Sequence, residues 1–178
     1  MTIILNPGDI FCTRNPMMLG RAICSMEKFW SSDNEAKYSH AGIIVGRPAI
    51  TFEALWTNKK QNLFKAYADT EILIGRHEDM TVEKFNLGWQ RIKKHEGRIY
   101  AGWRLFFHII PPLAKYLSSN NFGVCSEITG EFIEGSGIYP EGYFWKGKTP
   151  DNIADMIHKW KKWTPLYEDK LDKFKFVQ

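Results

Sequence analysis

The chain has 178 residues, of which 44% are hydrophobic, 15% aromatic and 25% charged. This length and apolar content suffice for one domain whose core needs neither disulfides nor a structural metal, and the ordinary share of charge excludes wholesale disorder. The formal net charge of +4 favours anionic partners such as cell-wall polymers or acidic lipids. No RNA-binding signature, paired zinc-knuckle cysteines or Gly-rich phosphate loop accompanies that charge, so we expect no nucleic-acid partner.

The cysteines and the N-terminal residues bear on the cellular compartment. Cys12, Cys24 and Cys125 cannot all pair and form no C-x-x-C motif, which fits a reducing compartment. The first residues lack the basic start and long apolar run of a secretory signal. We therefore expect a cytoplasmic protein, and a phage-encoded enzyme released at lysis is compatible with this. The most apolar stretch, residues 105–117, contains two prolines and is shorter than the roughly 20 residues that cross a bilayer.

Hydrophobic periodicity and turn residues predict a series of strands and helices. Alternating β-branched and aromatic residues predict strands at residues 10–13, 39–45, 50–56 and 70–74. Apolar residues at helical spacing predict helices at residues 16–30, 81–97 and 98–109, from about 125, and from 150. Thr81 and Thr149 are the predicted N-caps of two of them, and Pro150 suits a first helical position. This order predicts a single α+β domain over residues 1–178, with an antiparallel sheet packed against helices.

The tail at residues 159–176 interleaves Lys with Trp, Tyr and Phe. Such a segment could contact a membrane or polymer surface. More often it is an amphipathic segment whose aromatic residues pack on the domain, and that is our expectation here.

Cys125 is the strongest candidate nucleophile. It lies in residues 121–127, where polar and glycine residues give way to a helical pattern. The free N–H groups and the dipole of a helix N-terminus would stabilise a thiolate and supply donors for an oxyanion. A buried structural cysteine is the alternative, and it better suits Cys12 and Cys24, which lie within apolar patterns.

His40 and Glu53 are predicted to share one face of a β-hairpin. If Val45 pairs with Ile50 across a four-residue connection, the same register places Gly42 opposite Glu53. His40 is then a diagonal neighbour of Glu53, about 7–8 Å away at Cα. Glu53 could orient the imidazole through Nδ1, whereas a one-residue slip would put the two side chains on opposite faces.

Six short motifs occur in order between residues 7 and 155. They are Pro7-Gly8-Asp9-Ile10, Ser39-His40-Ala41-Gly42-Ile43, Phe52-Glu53-Ala54, Gly97-Arg98-Ile99-Tyr100, Val124-Cys125-Ser126-Glu127 and Thr149-Pro150-Asp151. In this order they resemble the permuted branch of the NlpC-type papain-like superfamily, as in YiiX-like proteins and, more distantly, lecithin retinol acyltransferase. The resemblance implies a circularly permuted papain-like fold with a core at about residues 7–155 and a basic, aromatic C-terminal tail.

The same resemblance implies a role for each candidate residue. Cys125 becomes the nucleophile, His40 the general base and acid, and Glu53 the group that orients the imidazole. The implied activity is that of a cysteine peptidase or amidase that cleaves amide bonds through a thioester, with peptidoglycan-type peptides as the leading substrate class. No cofactor is expected.

Other titratable residues have simpler explanations. His108 lies among apolar residues and is predicted to be a core histidine or a pocket wall. His77, His95 and His158 lie beside charged residues and are predicted to be solvated. Glu127 is predicted to be a carboxylate that favours the dipole at a helix N-terminus.

Three alternatives to a cysteine peptidase remain open. A lipid acyl hydrolase or acyltransferase could use residues 105–117 as the wall of a chain-binding site. An inactive binding module would keep the fold without the chemistry, although an intact Cys, His and Glu set disfavours it. The third is a zinc site formed by His40, Glu53 and Cys125, although the sequence contains no paired ligand motif that would support it. The expected partners are a peptide, cell-wall or acylated small-molecule substrate, with an anionic polymer or membrane surface as a further contact.

Overall fold

The computed structural model describes residues 2–14, 37–55, 57–98, 125–143 and 149–177. They form a six-stranded antiparallel sheet with helices packed against it, which confirms the predicted α+β class. The helices expected at residues 16–30 and, apart from its first residue, 98–109 lie outside the described residues, together with Cys24, His108 and the apolar stretch 105–117. Within the described ranges, no helix combines the length and apolar character needed to span a bilayer.

The sheet is built from six strands that lie in the order β4-β3-β2-β1-β5-β6. They are β1 (Ile10–Thr13), β2 (His40–Gly46), β3 (Ile50–Ala54), β4 (Asn58–Asn62), β5 (Glu71–His77) and β6 (Trp163–Lys170). β1 pairs with β2 on one side and β5 on the other, and all four of its residues are buried. A short run of apolar residues without alternation is typical of a strand in this central position.

The hairpin of β2 and β3 has the predicted register along most of its length. Ile43 pairs with Phe52, and the backbone at Gly42 lies against the side chain of Glu53. His40 and Glu53 are therefore diagonal neighbours on one face of the sheet, as the alternation predicts.

The turn end of this hairpin differs from the prediction. Gly46 pairs with Ile50, and a bulge at Val45 absorbs the shift in register. The expected Val45–Ile50 pair was wrong because it assumed a four-residue connection, whereas the turn occupies residues 47–49.

Both edge strands and the short helix α1 (Leu63–Ala66) are absent from the sequence-based prediction. β4 has the sequence Asn-Lys-Lys-Gln-Asn, which contains no apolar residue that periodicity could detect. Polar and lysine-rich edge strands discourage further strand pairing, so this composition suits the position. β6 is formed by the first part of the C-terminal tail and pairs with β5, which itself runs on to His77 rather than ending at residue 74.

Three longer helices follow α1: α2 (Val82–Ile92), α3 (Cys125–Gly135) and α4 (Pro150–Lys159). The predicted N-caps are confirmed, because Thr81 accepts a backbone N–H at the start of α2 and Thr149 forms a capping box at the start of α4. Pro150 occupies the first turn of α4. α2 ends at Ile92, and a 3-10 turn at Lys93–His95 then leads to Gly97.

Apolar side chains fill both sides of the sheet. One layer lies between the sheet and the three longer helices; its buried members include Ile10, Ile43, Phe52, Leu73, Phe132, Ile133, Met156, Ile157 and Trp163. The other layer is covered by the N-terminal segment, α1 and the C-terminal tail; its members are Leu5, Phe11, Ile44, Ala49, Leu63, Tyr67, Ile72, Ile74, Leu171 and Phe176. His40 and Glu53 lie on this second side, beside Phe11 and Tyr67.

Candidate active site

His40 and Glu53 form a buried hydrogen-bonded pair. His40 begins β2 and Glu53 is near the end of β3, so antiparallel pairing brings them to the same end of the sheet. Nε2 of His40 lies 2.6 Å from Oε2 of Glu53, and neither side chain has appreciable solvent exposure. A Cβ at Gly42 would lie 2.6 Å from the ring of Phe11 and 3.1 Å from Cβ of Glu53. Glycine at this position therefore allows the ring and the carboxylate to approach the strand.

The ring nitrogen that faces the carboxylate corrects one expectation. The hairpin geometry suggested that Glu53 would orient the imidazole through Nδ1, but the contact is made by Nε2. Register fixes which side chains are neighbours, whereas the rotation of the ring depends on both of its partners. Nδ1 is consequently the nitrogen left to face Cys125, to which the His40 side chain is hydrogen-bonded.

Cys125 is the first residue of α3, where the sequence places it, and its side chain is buried. Its sulfur is hydrogen-bonded to the imidazole of His40 and to the backbone N–H groups of Ala41 and Ser126. α3 packs against β2, which explains how a strand amide reaches the sulfur. The thiol therefore meets two backbone donors, one imidazole and the positive end of a helix dipole.

The charges of Cys125 and His40 stabilise each other. Burial alone would lower the pKa of His40, but the sulfur of Cys125 and the carboxylate of Glu53 raise it to about 10. Burial alone would raise the pKa of the Cys125 thiol, but the His40 imidazolium and the two backbone N–H groups hold it below its usual value. Each partner therefore favours the charged form of the other, which shifts the pair toward a thiolate and an imidazolium, the reactive form of a cysteine nucleophile.

Glu53 is held by hydroxyl donors as well as by the imidazole. Thr51 Oγ1 donates to Oε1 at 2.5 Å, and the hydroxyl of Tyr67 donates to Oε2, the oxygen that also contacts His40. Burial would raise the pKa of Glu53, but the hydrogen bond and charge of His40, followed by the two hydroxyl groups, lower it below its usual value. The two hydroxyl donors and the imidazole thus all favour the ionised form of Glu53.

Tyr67 is the residue at this site that sequence reasoning missed. It follows α1, and its ring lies 6.0 Å from that of His40 between centroids, with 30° between the planes. The side chain of Gln61 on β4 is a further hydrogen-bond partner of its hydroxyl. That contact lowers the pKa of Tyr67 against the larger upward effects of burial and of Glu53. The single hydroxyl proton of Tyr67 is donated to Glu53. A hydrogen-bonded row thus runs from the edge strand to the sulfur, through Gln61, Tyr67, Glu53, His40 and Cys125.

The other cysteine in the described residues has a different environment. Cys12 lies on β1 with no exposure, and its thiol points to the backbone oxygen of Pro150 at 3.6 Å. Burial, with a smaller effect of Cys125, raises the pKa of the Cys12 thiol well above its usual value. This is the structural cysteine that its apolar sequence context predicts.

Two of the histidines expected to be solvated are not. His77 is buried between the rings of Tyr139 and Trp163, and its Nδ1 accepts the N–H of Asp79 at 3.1 Å. His95 is largely shielded and lies 2.9 Å from Glu131. Adjacent charged residues suggested exposure for both, but β5 and the 3-10 turn direct these rings inward.

The other two titratable residues considered in the sequence, His158 and Glu127, lie on α4 and α3. His158 is partly exposed, as expected, and lies 3.4 Å from Glu168. Glu127 occupies the first turn of α3, as expected for a carboxylate at a helix N-terminus.

A zinc ion does not fit the cluster of His40, Glu53 and Cys125. Catalytic zinc takes three protein ligands at about 2.0–2.3 Å. Glu53 instead contacts the nitrogen of His40 that is directed away from Cys125, so an ion beside the sulfur would meet only two of these side chains. Across the ranges that the structure describes, no group of three or more His, Cys, Asp or Glu side chains could hold a metal ion.

The fold and this cluster define an α+β protein with a buried cysteine, histidine and glutamate whose side chains are hydrogen-bonded in one row. No protein-family model matches the chain, and no curated protein matches it. Among solved structures, the crystal structure of the metalloprotein YiiX from Escherichia coli O157:H7 (DUF1105) is similar to it. The two share 17% sequence identity with a TM-score of 0.62, over 93% of this chain and 98% of that one.

This likeness concerns the fold, and it supports the YiiX-like fold that the order of motifs predicts. The wider papain-like and lecithin retinol acyltransferase-like relationships stay predictions from the sequence.

Proposed function

We propose that the protein is a cysteine hydrolase that cleaves an acyl bond through a thioester on Cys125. The observation that carries this proposal is the contact between a buried cysteine at the start of α3 and an imidazole whose other nitrogen faces the buried side chain of Glu53. A purely structural cysteine would stay protonated in such a buried place, as Cys12 does. Stabilising a buried thiolate and imidazolium is useful chiefly for nucleophilic catalysis.

The reaction proceeds in two halves. In the first, the Cys125 thiolate attacks the carbonyl carbon, a C–S bond forms, and the His40 imidazolium gives its proton to the leaving amine or alkoxide as the C–N or C–O bond breaks. In the second, neutral His40 takes a proton from water, the hydroxide attacks the thioester carbon, and the C–S bond breaks to regenerate the thiolate and imidazolium. Glu53 keeps the ring oriented through both halves.

The backbone donors at the sulfur are well placed for the tetrahedral intermediate. The N–H groups of Ala41 and Ser126 point at the thiolate in the resting site. Once the sulfur has formed its bond to carbon, it loses most of its negative charge, which moves to the neighbouring oxygen. We infer that the same two donors stabilise this oxyanion.

For the substrate, we propose an amide bond in a peptide, with peptidoglycan-type peptides as the leading class. The support is the resemblance in the order of motifs and the net charge of +4, which suits an anionic polymer. The proposed location remains the cytoplasm, with release at lysis if the gene is carried by a phage. YiiX is described as a metalloprotein. In this chain an ion beside the Cys125 sulfur would meet only Cys125 and His40 of the three site residues, so the proposed mechanism assigns no role to a metal.

Mass spectrometry of trapped intermediates tests the proposal. The protein is incubated separately with cell-wall peptides and with phospholipid vesicles, quenched with acid, and mapped by peptide. We expect an acyl adduct on Cys125 from the peptides, its loss in Cys125→Ala, and its retention in Cys12→Ala. Turnover by Cys125→Ala would refute the cysteine mechanism. An adduct from the phospholipids alone would keep the mechanism and replace the amide substrate by a lipid ester.

A further inference from the structure

The C-terminal tail divides its aromatic residues between the core and the surface. Trp163 and Phe176 are buried, which is the packing predicted for this segment. Phe174 is 81% exposed, more than any other large apolar side chain in the described part of the chain. Packing of the tail on the domain therefore accounts for Trp163 and Phe176 and leaves Phe174 directed into solvent.

The exposed ring is held in place by its neighbours in the tail. Phe174 lies in a 3-10 turn (Lys173–Lys175) that is capped by Asp172, whose side chain accepts the N–H of Phe174 at 3.0 Å. The ring of Phe176 packs on Phe64 and Tyr167 with centroid distances of 5.4 and 5.0 Å. This anchors the turn to the core immediately after the exposed ring.

A second attachment ties the turn to the N-terminal segment. The N–H of Ile3 donates to the carbonyl of Lys175 at 2.8 Å, and the N–H of Val177 donates to the carbonyl of Ile3 at 2.9 Å. The outward position of Phe174 is therefore set by the fold and does not arise from a frayed end.

Other apolar side chains are exposed beside this turn. Ile4 is 50% exposed and Val177 is 47% exposed. Both line a cavity of about 240 Å³, whose wall is completed by Leu5, Arg47 and Pro48. The cavity thus lies at Val177, which follows the turn by two residues and is hydrogen-bonded through its N–H to Ile3.

Positive charge surrounds these apolar groups. Lys173 and Lys175 flank Phe174 and are exposed, and Arg47 forms part of the cavity wall. None of the three takes part in an ion pair with a carboxylate among the described residues. Asp172 is the one acidic residue in the turn segment 172–175, and its carboxylate is occupied by the cap. We call Ile4, Arg47, Lys173, Phe174, Lys175 and Val177 the basic apolar patch.

We propose that the basic apolar patch docks the protein onto an anionic lipid surface. A bilayer interface offers negative head groups for the three cations and an acyl boundary for the ring, and segments that lie in this interface combine the same two residue classes. A soluble polyanion would satisfy the cations and leave Phe174, Ile4 and Val177 in water. The ring is thus the feature that favours lipid. Docking is independent of the chemistry proposed for Cys125.

Co-sedimentation with vesicles tests this proposal. The full chain is mixed with phosphatidylcholine vesicles that contain or lack phosphatidylglycerol, across a range of lipid and salt concentrations. We expect binding to the anionic vesicles that weakens with salt, and little binding to the neutral ones. Phe174→Ala should weaken binding about tenfold, because the ring loses its apolar contact. The double variant Lys173→Gln/Lys175→Gln should weaken it about 20- to 30-fold, at about fivefold for each cation.

Val82→Ala is the matched control, since Val82 is 78% exposed but lies at the start of α2, on the opposite side of the sheet. It should bind like the wild type, and so should Cys125→Ala. Circular dichroism checks that each variant is folded. The proposal would be overturned if Phe174→Ala bound vesicles as well as the wild type and the two proteins had equal affinity for inorganic polyphosphate. The patch would then be a general polyanion site. Absence of binding to anionic vesicles, or an equal loss in Val82→Ala, would overturn it as well.

Discussion

Replacing Glu53 with glutamine isolates the effect of one buried charge on Cys125. The amide can keep its oxygen toward His40 and Tyr67, because Thr51 Oγ1 also lies 3.2 Å from the backbone oxygen of Gln61 and can turn its proton there. The amide nitrogen can then donate to the Thr51 hydroxyl. The variant should thus retain the geometry and lose only the negative charge beside the imidazolium.

The expected size follows from the contact. Nε2 and Oε2 are 2.6 Å apart, so the two charge centres are about 4 Å apart, which corresponds to about 4 kcal/mol at an effective dielectric constant of 20. The dipole of the new amide recovers part of this, and about 2–4 kcal/mol should be lost from the thiolate–imidazolium pair. At 1.36 kcal/mol per tenfold change, the population of that pair falls about 30- to 1,000-fold.

Iodoacetamide labelling of Cys125 measures this population without knowledge of the substrate. A free thiol has a pKa of about 8.5. The wild type should label quickly at pH values below this, because the Cys125 thiolate forms together with the His40 imidazolium. Glu53→Gln should label about 30- to 1,000-fold more slowly in that range and recover at higher pH, where the thiolate forms without a cation. Buried Cys12 is the internal reference on the same peptide map.

Glu131→Gln provides the matched variant, since Glu131 also contacts a histidine, His95, at 2.9 Å, but belongs to the outer side of α3. It should label like the wild type. An unchanged pH profile for Glu53→Gln, or an equal change in Glu131→Gln, would refute the reasoning that Glu53 supports the reactive ion pair.

Three further predictions follow from the packing. Tyr67→Phe removes one donor from Glu53 and should reduce kcat about tenfold with little change in KM, whereas Tyr167→Phe, in the tail, should change neither; equal losses would contradict a positioning role. His77 is buried and burial lowers its pKa, so the unfolded chain binds a proton first and stability should fall as the pH drops below about 6.5. Thermal unfolding should show that His77→Gln loses less stability than the wild type on acidification, and parallel curves would contradict this. Gly42→Ala forces its new methyl group into the neighbouring ring and should cost about 1–3 kcal/mol in urea unfolding; an unchanged midpoint would show that the site is less tightly packed.

The hairpin that carries His40 and Glu53 is predictable because its signal is local. Side chains alternate between the two faces along β2 and β3, so the register decides which of them share a face. The bulge at Val45 compensates for the shorter turn and keeps the predicted register at His40 and Glu53. The contact with Cys125 joins residues far apart in the chain and leaves no trace in periodicity. It was suggested by the order of motifs and by the helical pattern that starts at residue 125.

Tyr67 could not be predicted for a different reason. It follows a four-residue helix and a polar edge strand, neither of which shows an apolar period. Its place beside Glu53 depends on the pairing of β4 with β3 and on the burial of Leu63, which are both tertiary effects. The exposure of Phe174 and the burial of Phe176 likewise depend on which side of the tail meets the core, and two aromatic residues two positions apart do not reveal this.

The chain order of the site determines when a newly made molecule becomes reactive. β2 and β3 leave the ribosome before α3, so a nascent chain has its base and carboxylate before it has its nucleophile. The thiol of Cys125 then keeps ordinary reactivity until α3 docks on β2, since the imidazolium and the Ala41 amide that activate it both belong to that strand. A copy in which α3 has not yet docked on β2 should therefore show only the ordinary reactivity of a free thiol at Cys125.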